Sequence, residues 1–196
     1  VRVAGKKGIL MQLPPPWRNS LIRLLRASLL IGLMLLSGLI LVWGLVFVQG
    51  QRDEVRRSDA LVLAAHQPPE TVLLEHTLAL YRQGYAGRII LAHPGALDLK
   101  AELTGAQWRL PENALIVVED AETRIQYMRV AADQAHAQGI RSVIVTSDPA
   151  DMLLELKMAQ DLGLSAYGSP PPNAGLTAGQ VLEAGLLYWQ YVLIGR

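Results

Sequence analysis

The sequence predicts an α/β protein: a three-layer sandwich around a mainly parallel sheet of about five strands, preceded by one transmembrane helix. Three observations carry this. Ala27 to Val48 is a run of 22 residues without a charge, close behind a basic leader. From Asp59 onward, short strands apolar on both faces alternate with helical stretches, and burial on both faces marks parallel strands. Glycines then close three of those helices just before the next strand.

The leader is basic. Residues 1–26 carry six positive side chains (Arg2, Lys6, Lys7, Arg18, Arg23, Arg26) and no acid, while the remainder carries 12 basic against 17 acidic residues, or −5. Lipid is the expected neighbour of the basic stretch, and the mildly acidic remainder argues against nucleic acid as partner. At ~1.5 Å per residue the apolar run is ~33 Å long, matching a hydrocarbon core of ~30 Å. It has no polar face, unlike a helix at the edge of a soluble core. It also exceeds the ~7–15 residues of a cleaved signal. The expected organisation is a basic, Pro-containing cytoplasmic leader over 1–20, a single transmembrane helix over 21–48, a linker over 49–58 and an α/β domain over 59–196. The leader charges place the N-terminus in the cytoplasm of a bacterial inner membrane and the domain on the extracytoplasmic side. Pro14 to Pro16 should be extended. Trp17, Arg23, Arg26, Ser28, Gly32, Gly38, Trp43 and Gly44 are the residues expected to meet lipid or a partner helix, the small ones because they allow close helix contact.

In the domain, strands are expected at Ala60–Ala65, Arg88–Ala92, Ala114–Val118, Arg141–Thr146 and Leu164–Tyr167. Helices are expected at Glu70–Gln83, Ala96–Gln107, Glu122–Gln138 and Asp151–Leu162, with Gly84, Gly139 and Gly163 as left-handed caps. This βαβα order implies right-handed crossovers with helices on both faces. A last helix, "TAGQVLEAGLLYWQYVLIG", has too short an uncharged run to span a bilayer. It either covers the sheet, the favoured placement, or rests Tyr188, Trp189 and Tyr191 on the membrane surface. Only one Phe is present, so the core is built from Leu, Val, Ile and Ala, and with no cysteine there is no disulfide or thiolate–metal site.

Ligands of open parallel sheets bind outside the carboxyl ends of the strands. Those ends carry His66, His93, Glu119 with Asp120, and Ser147 with Asp148. No tight ligand spacing joins the imidazoles and carboxylates, so no metal is expected. Ser147 lacks the glycines of a nucleophile elbow, and the plainer role for Ser147 or Asp148 is to cap the next helix, with Pro149 in its first turn. There is no glycine-rich phosphate loop, and no cofactor is expected.

The arrangement resembles the YdcF/SanA-like bacterial proteins, from about Asp59 to the end of the sequence. "DALVLAA" looks like that family's opening strand, "ALYRQGYAGRIILA" is similar to its Leu-Tyr, Gly, strand signature, and "IRSVIVTSDPADM" resembles its Val-Thr-Ser strand end. "TRIQ" stands where the family tends to have Thr-x-x-Asn, and the closing helix carries an embedded acid, Glu183. The resemblance implies a membrane-anchored Rossmann-like domain linked to cell-envelope biogenesis, with nucleotide-like ligands suggested. It carries Thr123, Gln126, Thr146 and Ser147 over as ligand-site positions. The departures lie at the same site. Ala64-Ala65-His66 replaces a Gly-Gly, Leu73 stands where an Arg is usual, "AHPG" replaces a Ser-Gly-Gly turn, and Asp151 and Glu155 stand near the place of a His and an Arg. Glycines let a backbone approach an anion, and Arg and His supply positive charge; with both reduced, an anionic ligand should bind poorly. The expected function is therefore a single-pass accessory or structural subunit of a larger membrane complex, whose domain has lost catalysis. Lipid and other membrane subunits would meet it through span and leader. The alternative is an envelope-biogenesis enzyme or small-molecule-binding protein using His66, His93, Thr123, Gln126, Thr146, Ser147 and Asp148.

Overall fold

The structure, a computed structural model, describes residues 16–65, 67–119, 121–172 and 174–195, with the backbone alone at 16–19. His66, Asp120, the leader before Pro16 and the Trp17 side chain lie outside the described residues. Two compact units are present, one up to Ile40 and one from Leu41 onward.

Helix α1 runs from Pro16 to Gln49. Among the described residues it is the one helix long and apolar enough to cross a membrane. Pro16 begins this helix instead of lying in an extended segment, because the first helical position needs no N–H partner and suits the fixed φ of proline. Within the first unit Arg23, Arg26, Ser28 and Gly32 are exposed, and the Ser28 hydroxyl turns back to donate to the Leu25 carbonyl at 2.9 Å.

The second unit holds a five-stranded, all-parallel sheet: β1 (Ala60–Ala64), β2 (Ile89–Ala92), β3 (Leu115–Val117), β4 (Ser142–Thr146) and β5 (Ser165–Gly168), in the order β3-β2-β1-β4-β5. Helices α2 (Thr71–Arg82), α3 (Ala96–Thr104), α4 (Arg124–Ala137), α5 (Met152–Asp161) and α6 (Ala178–Ile194) complete it. Every residue of β1 is buried. Successive side chains of a strand point to opposite faces. Leu61 and Leu63 pack with Leu73, Leu78, Leu99 and Leu103 of α2 and α3, while Val62 and Ala64 pack with Met128, Ala131, Met152 and Met158 of α4 and α5. The chain steps from β1 to β3 in one direction and from β3 across to β5 in the other, with its helices on opposite faces, so all crossovers share one hand. The order reverses between β1 and β4, which pair Leu63 with Thr146.

Gly84, Gly139 and Gly163 have φ of 77°, 73° and 85°, the left-handed caps expected of them. Helix α3 stops at Thr104 and not at Gln107, because Gly105 is extended and breaks it. At the amino end of the sheet, Asp59 Oδ2 accepts from the backbone N–H groups of Arg141 and Ser142 and from the Ser142 hydroxyl, each at 2.9 Å. These bonds, the Arg141 and Ser142 N–H groups foremost, hold the Asp59 carboxyl below its usual range and tie β1 to β4.

Candidate functional site

The carboxyl ends of β1 and β4 are where the fold would seat a ligand, and their side chains are turned inward. Thr146 is fully buried. Its hydroxyl accepts from the Thr77 hydroxyl at 2.8 Å and donates to the Val62 carbonyl at 3.3 Å. Ser147 is 1% exposed, and its Oγ has no hydrogen-bond partner. His93 is equally buried; its Nδ1 lies 2.7 Å from the Pro94 carbonyl, while Nε2 is buried without a partner. Burial drives the His93 pKa below its usual value, with the Pro94 contact opposing, so its imidazole is neutral at pH 7. His93 follows β2 and Ser147 follows β4, with β1 between them. Two strand spacings separate their backbones by ~10 Å. Neither Ser147 Oγ nor His93 Nε2 has a hydrogen-bond partner, so the two are not joined as a nucleophile and its base would be.

The segment leaving α1 occupies the neighbouring strand ends. A Cβ on Gly50 would lie 2.3 Å from the Pro149 carbonyl oxygen, so the chain passes against the β4–α5 turn. The Gln49 amide lies beside Gly168 at the end of β5. The Glu54 N–H donates to the Gly168 carbonyl at 2.9 Å, and the Arg56 guanidinium stacks 3.9 Å from the centroid of the Tyr167 ring. The backbone over 50–58 is thus hydrogen-bonded to the domain that follows it.

A cleft of about 560 Å³ opens beside this region, between the amino ends of α4 and α5 and one face of α6. Its polar lining includes Thr123, Arg124, Asp148, Asp151 and Glu183. Thr123 and Asp148 of the expected site therefore share one cavity. Gln126 acts differently: Thr123 and Gln126 form a reciprocal capping box at the start of α4, the Gln126 side chain accepting from the Thr123 N–H at 3.1 Å. Neither Ser147 nor Asp148 stands at the N-cap of α5, which starts at Met152 with Asp151 in the cap position and no side-chain cap. Pro149 lies in the turn before it, and the Asp151 carboxylate is drawn sideways to Arg124.

Arg124 was not among the sequence candidates. It donates to both oxygens of Asp151, at 2.8 and 2.9 Å, and its Nε lies 3.4 Å from Glu155. Burial pushes the Glu155 carboxyl up to about 8; Arg124 pulls it down and Asp151 raises it further. At neutral pH Glu155 therefore holds its proton, and Asp151 balances the guanidinium. Asp151 is thus ion-paired to Arg124, with Glu155 beside it as a neutral acid. Among the described lining residues the one cation, Arg124, is engaged bidentately, and Asp148 and Glu183 add negative charge to the same walls, so a phosphate finds a poor match here. The remaining lining mixes apolar side chains, including Leu154, Leu187 and Ile194, with the polar Gln180 and Gln190, and the volume lies in the ~300–1,000 Å³ range of small-molecule sites.

Among the described residues no group of His, Asp and Glu side chains is placed to hold a metal ion. No family model matches the chain, and no curated protein or solved structure matches it.

Proposed function

We propose that this chain is a single-pass, membrane-anchored accessory subunit of a larger membrane protein complex, with a YdcF/SanA-like α/β domain that no longer performs catalysis. The observation that carries the reading is the occupation of the strand ends by the protein's own chain. Gly50 sits on Pro149 at the end of β4 and Gln49 beside Gly168 at the end of β5, and Thr146, Ser147 and His93 are themselves buried. An enzyme of this fold needs that edge open. Helix α1 would provide the anchor and, through Ser28, Gly32 and Gly38, a surface for a partner helix. The basic leader supports a cytoplasmic N-terminus in a bacterial inner membrane.

A second reading is favoured by the cleft: a membrane-anchored protein that binds an uncharged or cationic small molecule between α4, α5 and α6. Purification of tagged full-length chain from membranes in mild detergent separates the two. The accessory reading expects membrane subunits to co-purify in fixed stoichiometry. A lone chain that binds a small molecule, with binding lost in Asp148→Ala, would overturn it.

A further inference from the structure

We infer that α6 is a second membrane-contacting element, lying in the boundary layer of the bilayer alongside the end of α1. The inference rests on reading α1 as a membrane anchor and adds a contact that α1 alone does not require.

Helix α6 has three faces. One carries Val181, Ala184 and Tyr188 and packs on Val42 and Val46 of α1, together with Ala150 and Leu153. The fit is close: a Cβ on Gly185 would lie 2.4 Å from Cδ1 of Trp43. A second face, with Gln180, Glu183, Leu187, Gln190 and Tyr191, lines the cleft. The third carries Leu182, Leu186 and Leu193, spaced by four and seven and so aligned on one side of a helix. These three are 44%, 54% and 70% exposed, and among the described residues no element of the second unit covers them.

The position of α6 along α1 identifies what covers that face. About 20 residues lie between Arg26, the last charge of the leader, and Val46, which is ~30 Å of helix and the full thickness of a hydrocarbon core. The turns of α1 against which α6 packs therefore stand at the far boundary of the bilayer. There α1 itself exposes Leu41, Leu45, Phe47 and Val48. The leucine stripe of α6 stands on a helix packed against these same turns. From Ala184 to Ile194 α6 has no charged residue; its aromatics serve the other two faces, Tyr188 and Trp189 packing at the seam with α1 and Tyr191 lining the cleft. A helix whose outer face is uncharged and carries a leucine stripe suits the headgroup–acyl boundary. It is too short to span.

The absence of cysteine allows a direct test on the full chain in phosphatidylcholine–phosphatidylglycerol vesicles. Leu186→Cys and Leu193→Cys carry a nitroxide, with Leu30→Cys as the reference for the span and Glu102→Cys as the reference for water. Collision with oxygen, which concentrates in lipid, is compared with collision with a water-soluble nickel chelate. Labels at 186 and 193 are expected to follow Leu30→Cys, with an oxygen-to-nickel ratio severalfold above that of Glu102→Cys. Labels at 186 and 193 that follow Glu102→Cys, while Leu30→Cys reports lipid, overturn the inference and leave the anchor standing. Labels shielded from both probes also overturn it, since a protein surface then covers α6. If Leu30→Cys itself reports water, the anchor reading fails.

Discussion

At the scale of single residues, the buried network of Arg124, Asp151 and Glu155 is the most consequential arrangement in the domain. Its pH behaviour follows from one carboxyl. Glu155 titrates near its ordinary value of 4.5 when unfolded but near 8 when folded. Between those values the folded state holds a proton the unfolded state has lost. Its contribution is therefore fully present below about pH 4.5 and declines as pH rises, by at most about 1.4 kcal/mol per pH unit. Glu155→Gln keeps the shape and removes the titration. Melting of the two proteins should be similar at pH 5, with the variant gaining by about 1–3 kcal/mol at pH 7. A difference that stays flat across this range would show that Glu155 is ionised in the fold. The imidazoles of His76, half-buried, and His93, buried, both lowered mainly by desolvation, change stability in the opposite sense near pH 6.5, and the comparison cancels them. The network was not legible in the sequence. Arg124 lies 27 residues from Asp151, and no spacing rule joins an arginine on one helix to acids on the next. A partial signal was the i, i+4 pair Asp151 and Glu155 on a helix that is otherwise largely apolar.

At the scale of elements, the strands were legible because each is apolar on both faces, and the helix ends because glycine marks them. The helix starts lie within two residues of those expected, but what caps them differs from the expectation. "TRIQ" and "TAGQ" both fit the Thr-x-x-Gln form of a capping box, and both form one, at Thr123 with Gln126 and at Thr177 with Gln180. The first had looked like a ligand-site motif. The seam between α6 and α1 was equally hidden, since nothing in an apolar run says which turn receives a neighbour. Gly185 measures that seam. Gly185→Ala places a methyl against the Trp43 ring and should cost about 1–3 kcal/mol by overpacking. Thermal melts of Gly185→Ala with and without Trp43→Leu form the check. The cost should fall in the Trp43→Leu background; an equal cost in both would place the strain elsewhere.

At the scale of the whole molecule, the second unit begins inside α1, at Leu41, and not at the start of β1. Val42 and Val46 are buried, and burying a side chain of this size is worth ~1.5–3 kcal/mol. A chain starting at Gln51 should therefore be less stable than one starting at Leu41 by at least about 3 kcal/mol, or roughly 6–12 °C in Tm at this size. Equal melting temperatures in the same detergent would show that the last turns of α1 contribute nothing to the fold. The sequence displayed the sheet and the apolar run as separate objects. It did not display their junction, because residues 41–50 read as continuous span and linker, and only the packing against α5 and α6 assigns them to the domain.

The strand order also sets a clock. The central strand β1 is the first to leave the ribosome, yet one of its two neighbours, β4, begins 82 residues later at Ser142. At synthesis rates of ~5–20 residues per second, β1 stands with one edge bare for roughly 4–16 s. Parallel pairing across such a separation is slow even when the partner is present. During that interval Leu61 and Leu63 belong to a half-built sheet beside an apolar helix. Newly made chain is then at its most prone to misassociate, and a holding chaperone at the site of membrane insertion should raise its yield more than a faster rate of synthesis would.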